Sequence, residues 1–231
     1  MDAKALLMES LDVAIAASVP QNCLPPFIPS PPKGKTYVIG AGKAAAKMAQ
    51  VFEQHYTGDH EGVVITRYGF VARTEKIKVI EASHPNPDEA GRQAAREIIG
   101  IANEATKDDL VICLLSGGGS SLLSCPHEGM DFDEYKALND GLLKCGASIH
   151  EINTVRKHLN IAFGGRLAMV AFPAQILTLA ISDVAGDDPS VIAFFWAPNS
   201  RYIAYLIPAH PEQLQVAPEF AADSEQFYVH L

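Results

Sequence analysis

A run of serine and glycine residues at 116–121 is the strongest chemical signal in this sequence. It directly follows an apolar segment that is typical of a strand buried on both faces. Three consecutive glycines let the backbone turn sharply and aim several amide N–H groups at one point, which suits phosphate or carboxylate binding. The alternative is a tight strand-to-helix turn without a ligand. The candidate residues are Ser116, Gly117, Gly118, Gly119, Ser120 and Ser121.

A second glycine corner, Gly40-Ala41-Gly42-Lys43, follows the first predicted strand. Lys43 would stand near the start of the next helix, where a cation opposes the helix dipole and an anionic ligand relieves that conflict. A solvated surface lysine is the alternative. The corner is not the dinucleotide-binding fingerprint G-x-G-x-x-G, because Ala45 occupies the place of its third glycine.

Two further polar segments follow predicted strands. Ser83 and His84 precede Pro85 in a rigid loop, where the imidazole can bond a substrate oxygen or transfer a proton, or else cap backbone groups. After the last buried strand come Asp183 and Asp187, carboxylates of the kind that Mg²⁺ prefers. They can also supply a base for a hydroxyl nucleophile, and a charged turn is the alternative.

A polar helix is predicted at 149–160. Asn153 lies three and four positions before Arg156 and Lys157, so the three residues share one helix face. Either cation can clamp a carboxylate or a phosphate, and a solvated helix face is the alternative.

The segments that must position these residues alternate between strand and helix. This alternation predicts an α/β protein with a mostly parallel sheet and helices on both faces, in a Rossmann-like three-layer arrangement. Ligands of such folds bind at the carboxyl ends of the strands, where both glycine corners and the His84 loop fall. Strands are predicted at 36–40, 62–66, 77–82, 109–115 and 176–181. Helices are predicted at 2–18, 44–55, 87–104, 131–145, 149–160 and 166–170, and a proline-rich connector at 21–35.

Composition limits the classes of function. The 231 residues carry a net charge of −9, which argues against a nucleic-acid or anionic-membrane partner and leaves a small-molecule substrate held by local groups. No apolar run is long enough to span a membrane, and the first residues do not resemble a secretion signal. The four cysteines lack paired spacing, so a reduced, cytoplasmic protein is expected. A homo-oligomer is one option that the sequence leaves open.

Six motifs, taken together and in order, resemble the glycerate 2-kinase family. Some members of that family carry the older label hydroxypyruvate reductase and belong to tartrate degradation. The resemblance covers roughly residues 3–193. The motifs are GKA at 42–44, SHP at 83–85, LSGGGS at 115–120, EINTVRKH at 151–158, GGRLA at 164–168 and ISDVAGDD at 181–188.

The resemblance implies transfer of a phosphoryl group from ATP to the 2-hydroxyl of D-glycerate, with Mg²⁺. Lys43 matches the active-site lysine proposed for the family, and with the 116–121 loop it is expected on phosphate or on the glycerate carboxylate. Arg156 and Lys157 are expected on the transferring charge, and Asp183 or Asp187 on Mg²⁺. Phosphoryl transfer needs positioning and charge neutralisation more than covalent help, which fits such a set.

The resemblance ends near residue 193. Residues 1–193 match the family's N-terminal α/β domain, whereas its second, smaller α/β domain is expected to be missing and the chain truncated. Residues 194–231 contain none of the 17 glycines but 8 of the 18 aromatic residues. Read one nucleotide later, the permitted codons of residues 195–204 include Ser-Gly-Pro-x-Thr-Pro-Asp-Thr-Ser, the family's own loop. We therefore interpret 194–231 as out-of-frame translation that follows a frameshift, or a sequencing error, just after Ala193.

The sequence leaves two other functions open. The first is an NAD(P)H-dependent hydroxypyruvate reductase. Such an enzyme requires a complete dinucleotide fingerprint followed by an acidic residue about 20 positions later, and this sequence matches that pattern weakly. An inactive, truncated remnant that only binds small anions is the second.

Overall fold

The structure, a computed structural model, describes residues 2–184 and the backbone of two further strands at 202–207 and 228–229. The strands are β1 (Thr36–Ala41), β2 (His60–Arg67), β3 (Ile77–Ala82), β4 (Leu110–Ser116), β5 (Gln175–Ile181), β6 (Tyr202–Ile207) and β7 (Tyr228–Val229). The helices are α1 (Ala3–Ser18), α2 (Pro20–Cys23), α3 (Ala45–His55), α4 (Glu89–Glu104), α5 (Gly119–Leu122), α6 (Phe132–Lys144), α7 (Ile149–Leu159) and α8 (Arg166–Ala171).

All seven strands pair in parallel, in the order β3-β2-β1-β4-β5-β6-β7. Their carboxyl ends therefore form a single edge of the sheet. The ends are nearly level, since Ala41 pairs with Leu115 and Ser116 pairs with Ile181. The predicted α/β fold with a parallel sheet is confirmed.

Helices cover both faces of the sheet because successive strand side chains point to opposite sides. On one face Ile39 and Cys113 pack in a core that includes Ile98 of α4. On the other face Val38 packs in a second core with Phe52 of α3. Two apolar layers thus hold the sheet between helices, which is the predicted three-layer arrangement.

The structure differs from the predicted elements in the proline-rich connector. The connector predicted at 21–35 contains a helical turn, α2, and a 3-10 turn at Pro25–Phe27, because Cys23 and Leu24 are apolar and bury against the layer that contains α3. The glycine loop leads into α5, which is a single helical turn.

The segment between β4 and β5 leaves the sheet at its carboxyl edge and carries α6 and α7. Asn160, at its return, donates from Nδ2 to the Leu123 carbonyl oxygen at 2.9 Å, so the two ends of the segment meet. Helix α7 begins at a capping box in which Ser148 and Glu151 satisfy each other's backbone amides.

Among the described residues, no helix combines the length and the hydropathy that crossing a bilayer would require. All four cysteines lie in this part of the chain as free thiols, with Cys23, Cys113 and Cys125 buried and Cys145 exposed.

Candidate active site

The two glycine corners are joined to each other at the carboxyl edge. The Lys43 amide donates to the Gly117 carbonyl oxygen at 2.9 Å, and the Ala44 amide donates to Ser116 Oγ at 2.9 Å. Gly42 has a φ of +143°, and a β-carbon there would overlap Ser116. Only glycine allows this approach, which fixes Lys43 beside the loop that follows β4.

The glycine loop presents unpaired amide groups. Gly118 has a φ of +87°, the left-handed conformation that glycine adopts without strain. The chain then enters α5, whose first amides have no acceptor within the helix. No acceptor in the described residues takes a hydrogen bond from the amides of Gly118, Gly119 or Ser120. This arrangement can bind an anion, as the sequence predicts.

Lys43 forms a loose ion pair with Asp183, which follows β5. Lys43 Nζ lies 3.9 Å from Asp183 Oδ2, and the side chains are 40% and 64% exposed. An exposed pair of this kind contributes about 0–1 kcal/mol, so an incoming anion can compete for the ammonium. The Asp183 carboxylate also lies against Gly117, where a β-carbon would overlap it.

His84 packs on the glycine loop. A β-carbon on Gly118 would come within 2.7 Å of His84 Nε2, so the imidazole lies directly on the glycine backbone. Partial burial lowers the pKa of His84, the charges of Lys43 and Arg67 lower it further, and the Asp183 carboxylate opposes them. The imidazole is therefore neutral at physiological pH and can accept a proton.

Two hydroxyl groups border these residues. Ser83 and Ser120 are half-buried, and their hydroxyls form no hydrogen bond with any described residue. Ser116 differs, because its Oγ already accepts the Ala44 amide and only its O–H remains to donate. We call Lys43, Ser83, His84, Ser116–Ser120 and Asp183 the carboxyl-edge site.

Helix α7 is tied to its neighbour α6. Arg156 Nε donates to Asn139 Oδ1 at 2.8 Å, and burial lowers the pKa of Arg156. Asn153 is buried with an unpartnered Oδ1. Lys157 accepts a hydrogen bond from Arg166 at its carbonyl oxygen. Contacts within the described residues do not join Arg156 or Asn153 to the carboxyl-edge site, so their predicted roles stay predictions.

Of the two carboxylates predicted to bind a metal, only Asp183 lies within the described residues. Asp187 lies outside the described residues. Within the described ones, no group of three or more potential metal-ligating side chains occurs. Mg²⁺ commonly takes one or two protein carboxylates and completes its shell with phosphate oxygens and water, so an exposed Asp183 is compatible with it.

Sequence reasoning missed two residues at the end of β2. Thr66 Oγ1 donates to the Lys43 carbonyl oxygen at 3.3 Å, and Arg67 stands beside it as the last residue of the strand. The signal that could have found them is the one used for the other corners, namely polar residues at the carboxyl end of a predicted parallel strand.

Comparisons with known proteins cover the whole carboxyl-edge site. The profile of a family described as a domain of unknown function (DUF4147) matches residues 6–194. The chain is 45% identical over 194 residues to an Agrobacterium vitis protein named as a candidate hydroxypyruvate reductase, covering 84% of this chain and 44% of that protein. It is 48% identical over 161 residues to the glycerate 2-kinase of Pyrococcus horikoshii, covering 70% of this chain and 36% of that protein.

A solved structure gives the same result at the level of the fold. The glycerate kinase of Thermotoga maritima matches with a TM-score of 0.74 at 30% identity, over 89% of this chain and 59% of that one. The chain spans less than half the length of the two curated relatives above.

Proposed function

Because the chain belongs to the DUF4147 family, and glycerate 2-kinases are among its relatives, we propose that its carboxyl-edge site serves phosphoryl transfer from ATP to the 2-hydroxyl of D-glycerate. The observation that carries this proposal is the convergence of Lys43, the loop amides and His84 at one edge of the sheet. Together they supply a cation, anion-binding donors and a proton acceptor.

The loop amides and Lys43 act on the phosphate groups. The amides of Gly118, Gly119 and Ser120 would donate to phosphate oxygens, and the Lys43 ammonium would stabilise the charge on the transferred group. Fixed donors of this kind need no rearrangement during the reaction, which is why the hydrogen bond between Lys43 and Gly117 matters. By the same proposal, Arg156 and Lys157 add positive charge from α7.

His84 takes the proton of the substrate hydroxyl. The 2-hydroxyl oxygen bonds to the γ-phosphorus of ATP while the bond from that phosphorus to the β–γ bridging oxygen breaks, and ADP leaves with those electrons. The hydroxyl proton passes to the imidazole, which is neutral because its pKa is lowered by burial and by neighbouring cations.

Asp183 would hold Mg²⁺ in this proposal, with Asp187 as a further ligand. The exposed Asp183 carboxylate follows β5 on the edge where the phosphates would bind, and hard cations take carboxylate and phosphate oxygens. When bound, the ion would supply neutralisation of phosphate charge.

The reductase alternative has less support. A dinucleotide-binding fold presents the amides after its first strand to the pyrophosphate. Here the amides of Lys43 and Ala44 are bonded to Gly117 and Ser116, and they are not open to a ligand.

Two assays on the purified 231-residue chain test these proposals. ADP formation is followed with MgATP and D-glycerate, and the phosphorylated position is identified by ³¹P NMR. NADH oxidation is followed separately with hydroxypyruvate. Glycerate-dependent ADP release with a 2-phospho product supports the kinase, and NADH oxidation would replace it with the reductase. Binding of both kinase ligands without turnover would favour the anion-binding remnant.

A further inference from the structure

Arg67 lies at the carboxyl edge between the corners that carry Lys43 and His84. It is the last residue of β2, which stands between β1 and β3 in the sheet, and it pairs in register with Ala82. The pairing continues one residue further, where the Tyr68 amide donates to the Ala82 carbonyl oxygen at 3.2 Å. Sheet order therefore brings Arg67 to the carboxyl-edge site.

The turn after β2 is fixed on both sides. Thr66 Oγ1 lies 3.3 Å from the Lys43 carbonyl oxygen and 3.4 Å from that of Phe70, which ties the turn to the β1 corner. On the other side the Tyr68 hydroxyl donates to Asp88 Oδ2 at 2.8 Å, which ties the turn to the end of the His84 loop. Arg67 is thus held by structure on either side.

The guanidinium of Arg67 keeps its charge available. Its Cζ lies 5.5 Å from the ring centroid of Phe70, a cation–π contact that orients the group without neutralising it. Within the described residues Arg67 has no carboxylate partner, whereas Lys43 has Asp183. The positive charges of Lys43 and Arg67 both lower the pKa of His84, in keeping with their places at neighbouring strand ends.

We propose that Arg67 is the residue that recognises the substrate carboxylate, and that it makes the site specific for 2-hydroxy acids over neutral diols and amides. This rests on the proposed function. A planar guanidinium donates two parallel N–H···O bonds to a carboxylate, a match that the compact ammonium of Lys43 cannot make. With the carboxylate on Arg67 and the phosphate on the loop amides, the 2-hydroxyl of the acid would lie near His84, which packs on that loop.

Binding measurements on the full chain test the proposal without requiring turnover. D-glycerate, its neutral analogue glyceramide and MgADP are each titrated by calorimetry into the wild type and into Arg67→Met, Arg67→Lys and Arg73→Met. Arg73→Met is the matched control, because Arg73 is exposed on the same connection between β2 and β3 and its substitution removes the same charge. Thermal unfolding checks that each variant is folded.

The wild type is expected to prefer D-glycerate over glyceramide. R67M should weaken D-glycerate binding by roughly tenfold or more and remove that preference, with MgADP binding unchanged. The D-glycerate affinity of R67K should lie in between, because lysine keeps the charge but cannot donate two parallel hydrogen bonds. R73M should match the wild type.

Three results would overturn the inference in distinguishable ways. A wild type that binds D-glycerate and glyceramide equally excludes carboxylate recognition, whatever the variants do. Unchanged D-glycerate binding by R67M, or a loss confined to MgADP, removes the role of Arg67 but leaves the proposed kinase in place. A wild type that binds no D-glycerate overturns both.

Discussion

The imidazole of His84 lies on the backbone of Gly118, so close that a β-carbon there would approach the ring's Nε2 to 2.7 Å. The two residues come from loops after β3 and β4, which are not neighbours in the sheet. Glycine is therefore required at position 118 for two reasons. Its backbone adopts the left-handed conformation of the anion loop, and the absence of a β-carbon leaves room for the imidazole beside that loop.

Gly118→Ala should disturb both the conformation of the glycine loop and the position of His84. A left-handed alanine costs about 1–3 kcal/mol in the free energy of unfolding, and the added carbon displaces His84. Gly129→Ala is the matched control, because Gly129 has a φ of +88° and a β-carbon there meets nothing within 4 Å. Both variants should lose similar stability in denaturant unfolding, but only G118A should move the His84 NMR signals and weaken MgATP binding. Equal ligand binding by the two variants would contradict the assigned geometry.

Lys43→Met should weaken the stabilisation of the transferred phosphoryl group. If the ammonium stabilises the transferred group, kcat/KM for MgATP should fall by about 10²–10³-fold, as when a fixed donor to a developing charge is lost. Lys47→Met is the control, because Lys47 lies in the first turn of α3, shortly after Lys43, and within the described structure its Nζ bonds only to Gln50 Oε1 at 2.6 Å. Steady-state kinetics on the two variants give the comparison, and similar losses in both would remove Lys43 from its role.

The protonation of His84 should respond to its charged neighbours with a definite sign. Removing the cation in K43M stabilises the imidazolium, so the pKa of His84 should rise, and removing the carboxylate in Asp183→Asn should lower it. NMR titration of the ring protons measures both shifts. In kinetics, the limb on which rate increases as His84 deprotonates should move to higher pH in K43M. Shifts of the opposite sign would place these charges elsewhere.

Glu53 is expected to stabilise the fold away from the site. Its carboxylate accepts the backbone amides of Glu75, Lys76 and Ile77 at 2.7–2.8 Å, where the chain enters β3. Glu53→Ala should lower the free energy of unfolding by about 1–3 kcal/mol, because it removes three hydrogen bonds to a carboxylate, one of them from the amide of the buried Ile77. Glu97→Ala removes only an exposed ion pair and should cost about 0–1 kcal/mol. Urea unfolding compares them, and a cost for E53A no greater than that for E97A would refute the assignment.

The reading frame after residue 193 gives a prediction at the level of the gene. The family match stops at residue 194, where the composition changes. We propose that the next frame encodes Ser-Gly-Pro-x-Thr-Pro-Asp-Thr-Ser and continues into a second α/β domain. Resequencing the gene across these codons is the measurement. An early stop codon in that frame would contradict the proposed frame change.

Much of this architecture is predictable from the chain because it is locally encoded. β4 is a continuous apolar run since it is buried on both faces, and the strand at Ile77–Ala82 has the predicted bounds. The helical turns in the connector are not predictable from the sequence, because the packing of Leu24 on a distant layer has no local signal in a proline-rich segment. Arg67 directly follows the strand predicted at 62–66, so its place at a strand end was predictable, but its position between the Lys43 and His84 corners depends on the strand order of the sheet.

The sequence alone determined which side chains stand at the ends of strands: Lys43, His84 and the serine–glycine loop follow apolar runs whose periodicity and glycines are local properties. Tertiary structure alone decided which of them meet. Lys43 and Asp183 are far apart in sequence and 3.9 Å apart in space, and the amides of Lys43 and Ala44 bond to the β4 corner and not to a ligand. The physical reason is that parallel pairing fixes strand order and register through contacts across the whole sheet, and this order sets the distances between the ends.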